Sequence, residues 1–115
     1  MESFLQKYPR IDAVWTGDDD VLVGALKAYR ESGRSDIKCF IGGAGSKVIN
    51  KMVMDRDPLV PANVTYPPRM IYSGVEQAIR GLSSAVPIDG EVITIPAEVI
   101  TPENAAQYYF PDSIY

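Results

Sequence analysis

The chain has 115 residues, of which 46% are hydrophobic and 23% are charged, so it can form one globular domain with a substantial core. Its formal net charge is −4 and no basic cluster is present, which argues against nucleic acid as a partner. Histidine is absent and there is one cysteine, which excludes Ser-His and Cys-His catalysis and an internal disulfide. We therefore expect a protein that is not an enzyme and that uses no cofactor or metal.

Strand and helix patterns alternate from the N-terminus onward. Residues 3–9 are typical of the last part of a helix, which Pro9 ends. The apolar run Ile11–Trp15 predicts the first strand. Apolar residues at helical spacing predict a helix from Asp19 to about Ser32, which Gly33 ends as a C-terminal cap. Both faces of the first predicted strand carry apolar residues, which is typical of a parallel sheet covered on both sides.

The same pattern then occurs twice more. Residues Ile37–Ile41 predict a second strand, and Ser46 caps a helix that runs to about Met54. Residues Ala62–Tyr66 predict a third strand, followed by a helix over about 70–82 with Pro68 in its first turn. Three strand-to-helix units in succession predict an α/β fold, a three-layer Rossmann-like parallel sheet with right-handed crossovers.

The rest of the chain has a different character. Pro87–Gly90 predicts a turn, Glu91–Ile100 an extended stretch, and Asn104–Tyr108 a short helix. Core positions follow from the apolar spacing. We expect Trp15 and Cys39 in the interior. The first two predicted helices should bury the apolar stripes Val21, Leu22, Ala25, Leu26, Ala28 and Tyr29, and Val48, Ile49, Met52 and Val53. The helix over 70–82 has an apolar stripe of its own, formed by Met70, Ile71, Gly74, Val75, Ala78, Ile79 and Leu82.

Three consecutive aspartates, Asp18, Asp19 and Asp20, stand between the first strand and its helix. Ligands of open α/β sheets collect at this edge, so Asp18 and Asp19 are the first candidates for a binding site. Capping of the helix N-terminus would also explain the carboxylates, as would metal binding. A carboxylate can accept hydrogen bonds from two neighbouring sugar hydroxyls, which favours a sugar or polyol as the ligand.

Two further features fall at the same edge of the predicted sheet. The glycine-rich stretch Gly42–Ser46 follows a strand and precedes a helix, but it matches no complete phosphate-loop motif. It is either a tight turn or a place, at Gly43, where the backbone approaches a neutral ligand. Tyr66 ends the third strand and either packs in the core or presents its hydroxyl and ring to the same edge.

These motifs resemble those of the ribose-type periplasmic sugar-binding proteins. Residues Ile11–Ala25 are similar to the family segment DAVFAANDxMAxGA, and Phe40–Ser46 to VVGFDGT. Residues Ala62–Pro68 are similar to ATVAQNP, and the tail Val99–Tyr109 is similar to the end of many members. The four segments in this order cover the chain from about residue 3, so it resembles the C-terminal part of the family.

The resemblance implies a solute-binding protein of an ABC transporter with the type I fold, in which two lobes clamp a sugar. It implies a periplasmic location and an ABC permease as partner. The family aspartate aligned with Asp19 hydrogen-bonds sugar hydroxyls, and a glutamine aligned with Tyr66 is another ligand contact. The pattern departs at Asp18, which replaces asparagine, at Tyr66, and at Ala44, which replaces aspartate, so the identity of the sugar is open.

Complete family members are much longer than this chain, so we expect a single truncated domain. Residues 1–68 would form the C-lobe-like βαβαβ part, 69–83 a crossover helix and 84–115 an extended C-terminal segment. The apolar face of the helix over 70–82 would then be exposed, which favours a homo-oligomer or implies that an N-terminal lobe is missing. Sugar binding by half a cleft should be weak.

Other classes of protein remain open at this point. The effector-binding domain of a LacI-type repressor shares the fold, but it would follow a helix-turn-helix segment, which this chain lacks. A receiver or flavodoxin-like domain would place an acidic group after its first strand. A receiver also needs a phosphorylated aspartate after its third strand, where this chain has Tyr66. No signal-peptide pattern is found at the start of the chain.

Overall fold

Helices and strands alternate along the chain in the computed structural model, which describes residues 1–66, 70–83 and 92–114. Their order is the predicted one, and their bounds agree with the predicted bounds to within a few residues. The elements are α1 (Glu2–Lys7), β1 (Ala13–Trp15), α2 (Asp19–Glu31), β2 (Cys39–Ile41), α3 (Lys47–Met54), β3 (Asn63–Val64), α4 (Ile71–Ser83), β4 (Val99–Ile100) and a 3-10 helix (Ala105–Gln107).

The predicted parallel pairing is confirmed for the first two strands. Strands β1 and β2 run parallel with Val14 opposite Phe40, and the backbone N–H of Thr16 donates to the Ile41 carbonyl at 2.9 Å. The third strand joins through a single parallel bridge between Ala44 and Thr65. The fold is therefore α/β with a parallel sheet at its centre.

The fourth strand has an orientation that the sequence did not indicate. The extended stretch predicted over Glu91–Ile100 supplies β4, which pairs antiparallel to β3. Thr65 and Glu98 extend this pairing, because the Thr65 N–H donates to the Glu98 carbonyl at 2.9 Å and the Glu98 N–H donates to Thr65 Oγ1. The described strands therefore form a parallel pair, β1 with β2, and an antiparallel pair, β3 with β4, and the Ala44–Thr65 bridge connects the two pairs.

The core lies between the strands and the helices α2 and α3. Phe40 is fully buried on β2 and its ring lies 5.4 Å from that of Tyr29 on α2. Burial of a side chain of this size stabilises the fold by about 1.5–3 kcal/mol. The other buried apolar residues of this core are Leu22, Ala25, Leu26, Ile37, Ile49, Val53, Val60, Ile100 and Ala105.

The predicted ends of α2 and the predicted start of α3 are confirmed. Asp18 caps α2, accepting the Asp20 N–H, and Ser46 caps α3, accepting the Ile49 N–H. Gly33 follows α2 with a φ of +70°, a conformation that residues with a Cβ rarely adopt.

Several expected core positions are wrong. Trp15 is 76% exposed, because Val14 takes the face of β1 that meets the core and Trp15 points the other way. Val21 and Val48 are exposed because each lies at the outer margin of its helix, and Cys39 is only half-buried on β2. The prediction that both faces of β1 are covered is therefore wrong.

The helix α4 buries none of its described residues. Its exposure was predicted from the sequence and is confirmed, since Ile71, Ile79 and Leu82 are 66%, 59% and 90% exposed. Pro68 and the turn predicted at Pro87–Gly90 lie outside the described residues. Within the part of the chain that is described, no helix is both long and apolar enough to cross a membrane.

The Arg34–Asp36 ion pair, in the loop after α2, connects this loop to the N-terminal segment. The Arg34 guanidinium pairs with Asp36 and donates to the carbonyls of Leu5 and Tyr8, while Asp36 accepts the Ile11 N–H at 2.7 Å. The hydrogen bond from Arg34 holds the pKa of the Asp36 carboxyl well below its usual range. This pair fixes the start of the chain beside β1.

Candidate functional site

The residues that follow β1, β2 and β3 meet at one edge of the sheet. Because β1 and β2 are parallel and β3 joins in the same direction, their carboxyl ends share this edge. We call it the strand-end rim and define it by Gly17 and Asp18 after β1, Gly43 after β2 and Tyr66 after β3. The rim is the place where the sequence predicted a binding site.

Asp18 uses its two carboxylate oxygens differently. Oδ1 accepts the backbone N–H of Asp20 at 2.8 Å, which satisfies one unpaired donor in the first turn of α2. Oδ2 accepts the hydroxyl of Tyr66 at 2.5 Å. The same hydroxyl oxygen lies 3.3 Å from the Gly17 carbonyl oxygen. Asp18 therefore both caps a helix and holds a tyrosine at the rim.

Tyr66 is 39% exposed and presents both its ring and its hydroxyl at this edge. A Cβ on Gly43 would lie 3.3 Å from Tyr66 Cε1, so the ring lies against the glycine backbone. The hydrogen bond to Asp18 raises the pKa of Tyr66 to about 12, because loss of the proton would place two negative charges together. Tyr66 is thus a neutral donor at any physiological pH.

Asp19 lies beneath the rim and has no exposed surface. Its Oδ2 accepts the Ser46 N–H at 2.7 Å and Asn63 Nδ2 at 2.9 Å. Among the described residues its Oδ1 has no hydrogen-bond partner, and a Cβ on Gly42 would lie 2.3 Å from that oxygen. The contact of Asp19 with sugar hydroxyls therefore stays a prediction, with the carboxylate buried in this structure.

Two asparagines complete a buried polar cluster with Asp19 and Ser46. Asn63 Nδ2 also lies 3.3 Å from Asn50 Oδ1, and Asn50 Nδ2 donates to the carbonyls of Gly45 and Tyr108. Asn50 was missed because its helix was assigned an apolar buried face. The available signal was the polar Asn63 within the predicted strand Ala62–Tyr66.

The loop between β2 and α3 has an unusual backbone. Ala44 has a φ of +118° and Gly45 a φ of +85°, and Ala44 is kept in place by its bridge to Thr65. Such a conformation costs a residue with a Cβ on the order of 1 kcal/mol. The Ser46 N–H at the start of α3 already donates to the Asp19 carboxylate, so one of the amides that could bind a phosphate here is occupied.

The three aspartates have three different environments. Asp18 lies at the rim, Asp19 is buried under it and Asp20 is exposed to solvent. Of the predicted site residues, the structure thus brings Asp18, Tyr66 and Gly43 together at the rim, with Asp19 below. Within the described residues no group of acidic, cysteine or histidine side chains could hold a metal ion.

Comparison with known proteins places this geometry in context. No protein-family model matches the chain. A D-apiose import binding protein from Paraburkholderia graminis is 30% identical over 108 residues, which are 93% of this chain and 34% of that protein. The periplasmic binding protein component of the arabinose ABC transporter from Shewanella sp. ANA-3, solved with bound L-arabinofuranose, superposes with a TM-score of 0.70. The chain has the fold of part of a periplasmic binding protein.

The match covers nearly all of this chain but only part of each relative. The Shewanella protein is 26% identical, and the match covers 94% of this chain and 36% of that one. An ABC transporter solute-binding protein from Agrobacterium vitis with bound allitol is 27% identical with a TM-score of 0.68, covering 92% and 37%. The chain therefore spans about a third of the length of the relatives it matches. These relatives are named as binding proteins of transport systems, and the resemblance found in the sequence is confirmed.

Proposed function

We propose that this chain is part of the solute-binding component of a bacterial ABC-type sugar importer. In that role it forms one wall of a pocket for a monosaccharide or polyol. The observation that carries the proposal is the Asp18–Tyr66 pair, which lies with Gly43 at the carboxyl edge of successive strands. Relatives named for D-apiose, L-arabinofuranose and allitol support the choice of ligand class.

The chemistry of the rim suits hydroxyl groups. The Asp18 carboxylate can accept charge-assisted hydrogen bonds from neighbouring hydroxyls, and the Tyr66 hydroxyl can exchange its present acceptor for a sugar oxygen. The exposed Tyr66 ring offers a flat apolar surface to the C–H face of a sugar. Gly43 has no side chain, so a ligand can approach the backbone of its loop.

The charges of the site favour an uncharged ligand. Asp18 and Asp20 stand together at the start of α2, and Asp19 lies below them. The Ser46 amide, which could otherwise bind an anion, already serves the Asp19 carboxylate. A sugar phosphate or sugar acid would therefore meet like charges at this loop, where the Ser46 amide is already engaged.

The finer arrangement is also part of the proposal. Residues 1–68 would form the C-lobe-like βαβαβ part, 69–83 a crossover helix and 84–115 an extended C-terminal segment. In the complete protein the lobe would be a three-layer Rossmann-like unit, and the sugar would lie between the lobes. The location would be the periplasm, and closure of the lobes would be recognised by an ABC permease.

A titration of the ¹⁵N-labelled chain tests the proposal. L-arabinose, D-apiose and allitol should shift the amide resonances of Gly17, Gly43 and Tyr66, with weak affinity because one wall buries only part of a ligand that a complete pocket encloses. Ribose 5-phosphate should leave these resonances unchanged. The variant Tyr66→Phe should weaken binding, whereas Tyr72→Phe on α4 is the matched control. Absence of any shift at the rim with all three neutral ligands would contradict the proposal.

A further inference from the structure

The C-terminal segment is joined to the loop between β2 and α3 through Asn50. This α3 residue has no exposed surface, and its Nδ2 donates to two carbonyls, that of Gly45 at 2.8 Å and that of Tyr108 at 2.9 Å. Gly45 lies in the loop that carries Gly43, and Tyr108 follows the 3-10 helix. A shift of either carbonyl would leave a buried donor without its acceptor, so one amide holds the two segments together.

The side chain of Tyr108 reaches β4 and, through it, the end of β3. Its hydroxyl donates to the Glu98 carboxylate, and this hydrogen bond raises the pKa of Tyr108, because loss of the proton would bring two negative charges together. The Glu98 N–H donates to Thr65 Oγ1 and the Glu98 carbonyl accepts the Thr65 N–H, each at 2.9 Å. Thr65 directly precedes Tyr66, so Tyr108 is linked to the strand end that presents Tyr66 at the rim.

The two branches from Tyr108 meet between the loop and β3. Thr65 forms the parallel bridge to Ala44, whose N–H donates to the Val64 carbonyl at 2.9 Å. Ala44 has a φ of +118°, a conformation that a residue with a Cβ keeps only where surrounding contacts hold it. The contacts therefore form a closed circuit, and two of its members, Ala44 and Thr65, are the chain neighbours of Gly43 and Tyr66.

We propose that Tyr108 is a positioning residue of the strand-end rim. Its carbonyl holds the loop that carries Gly43, through Asn50, and its hydroxyl holds β3 next to Tyr66, through Glu98. The consequence for sugar binding rests on the proposed function. Tyr108 is not itself a member of the rim, so it acts through these neighbours and not by contact with the sugar.

Amide hydrogen exchange without any sugar tests the positioning role. The variant Tyr108→Phe keeps the ring and the carbonyl and loses only the hydroxyl. The Thr65 N–H should then exchange about threefold faster than in the parent chain, because β4 is held less firmly against β3. Rates are expressed relative to the Phe40 N–H, a core amide that donates to the Leu59 carbonyl, so that a general loss of stability is removed. Tyr109→Phe, at the neighbouring half-buried tyrosine, is the matched control. An unchanged relative rate in Tyr108→Phe, or an equal rise in Tyr109→Phe, would overturn the proposal.

Two variants of Glu98 test whether the hydroxyl acts through this carboxylate. Glu98→Gln keeps an oxygen that can accept from Tyr108, whereas Glu98→Ala keeps only the backbone pairing of β4. The Thr65 rate should stay near that of the parent chain in Glu98→Gln and rise in Glu98→Ala. Adding Tyr108→Phe to Glu98→Ala should change the rate little further, since the contact is already lost. Fully additive effects would mean that the two side chains act separately, and would overturn the proposal.

Titration with L-arabinose extends the test to the sugar site. Tyr108→Phe should raise the dissociation constant about threefold, because Gly43 and Tyr66 are held less well in the geometry that binds, and Tyr109→Phe should leave it near that of the parent chain. An unchanged dissociation constant in Tyr108→Phe, with faster Thr65 exchange, would mean that the rim does not depend on Tyr108, and would overturn the proposal. If L-arabinose, D-apiose and allitol all fail to bind the parent chain, the proposed function fails, and the exchange rates still decide whether Tyr108 holds the end of β3.

Discussion

The Tyr66 hydroxyl donates to Asp18 Oδ2 at 2.5 Å, joining two residues that are 48 positions apart in the chain. The contact links the end of β3 to the start of α2. It also places a phenol and a carboxylate side by side at the edge where the sequence predicted a ligand site. The pair is at the surface, so both groups can exchange their mutual hydrogen bond for one with a ligand.

The first prediction concerns the ionisation of Tyr66. Subtracting the absorbance titration of Tyr66→Phe from that of the parent chain should reveal a tyrosine whose pKa is about 12. In Asp18→Asn this pKa should fall toward the ordinary value of 10.0, and Asp20→Asn should change it less. Because the folded pKa is raised, the contribution to stability is complete below pH 10 and is lost as the pH rises toward 12. A Tyr66 pKa of 10 in the parent chain would contradict the hydrogen bond.

The second prediction concerns the space at Gly42. The variant Gly42→Ala should lower the free energy of unfolding by about 1–3 kcal/mol, because its Cβ would collide with Asp19 Oδ1 and with Leu22. Gly24→Ala is the matched control on α2, where nothing lies within 4 Å, and it should stabilise the helix by about 0.5–1 kcal/mol. Urea unfolding measures both. Equal effects of the two substitutions would refute the close packing at Gly42.

The third prediction concerns the buried polar cluster. The variant Asn63→Asp would place a second carboxylate beside Asp19, and near neutral pH it should lower the free energy of unfolding by about 3–5 kcal/mol. Like charge and burial raise the pKa of the new pair, so stability should return as the pH falls and one proton is bound. Urea midpoints measured against pH test this, with the exposed Gln6→Glu as control. A loss that does not depend on pH would mean that charge repulsion is not its cause.

The fourth prediction concerns the Arg34–Asp36 pair. Since the pKa of Asp36 is lowered in the folded chain, its contribution is complete above the unfolded pKa of about 3.9 and is lost as the pH falls below that value. Asp36→Asn should therefore be less stable than the parent chain at neutral pH, with a difference that shrinks in acid. Asp12→Asn removes an exposed ion pair and should have little effect. Urea unfolding of Asp36→Asn and of the parent chain, at neutral pH and in acid, measures the difference in stability. A difference that is the same at both pH values would contradict the lowered pKa of Asp36.

The fifth prediction concerns the exposed face of α4. Apolar side chains in a contiguous exposed row favour association, so the chain should form oligomers that dissociate on dilution. Ile79→Glu should shift the equilibrium to monomer, whereas Glu76→Gln on the same helix should not. Light scattering coupled to size-exclusion chromatography measures the mass. A well-folded parent chain that stays monomeric at all concentrations would disprove the association.

Local patterns in the sequence were sufficient for the order of the elements. Asp18 and Ser46 mark the starts of α2 and α3, and Gly33 follows the end of α2, because caps depend on neighbouring residues only. Apolar spacing likewise identified α4, and the resemblance to a family of longer proteins indicated that its apolar face would be exposed. The parallel pairing of β1 with β2 followed from the strand-helix-strand order, since a crossover helix returns the chain to the end of the sheet at which the first strand began.

The sequence by itself determined the α/β pattern, the edge at which Asp18, Gly43 and Tyr66 meet, and the kinship with sugar-binding proteins. Only the tertiary structure decided that β4 returns antiparallel, that Trp15 faces outward, and that Asp19 is buried while Asp18 lies at the rim. Adjacent aspartates have the same local signal. Which one is buried depends on donors from Ser46 and Asn63, which are 27 and 44 positions away and which only folding brings within reach.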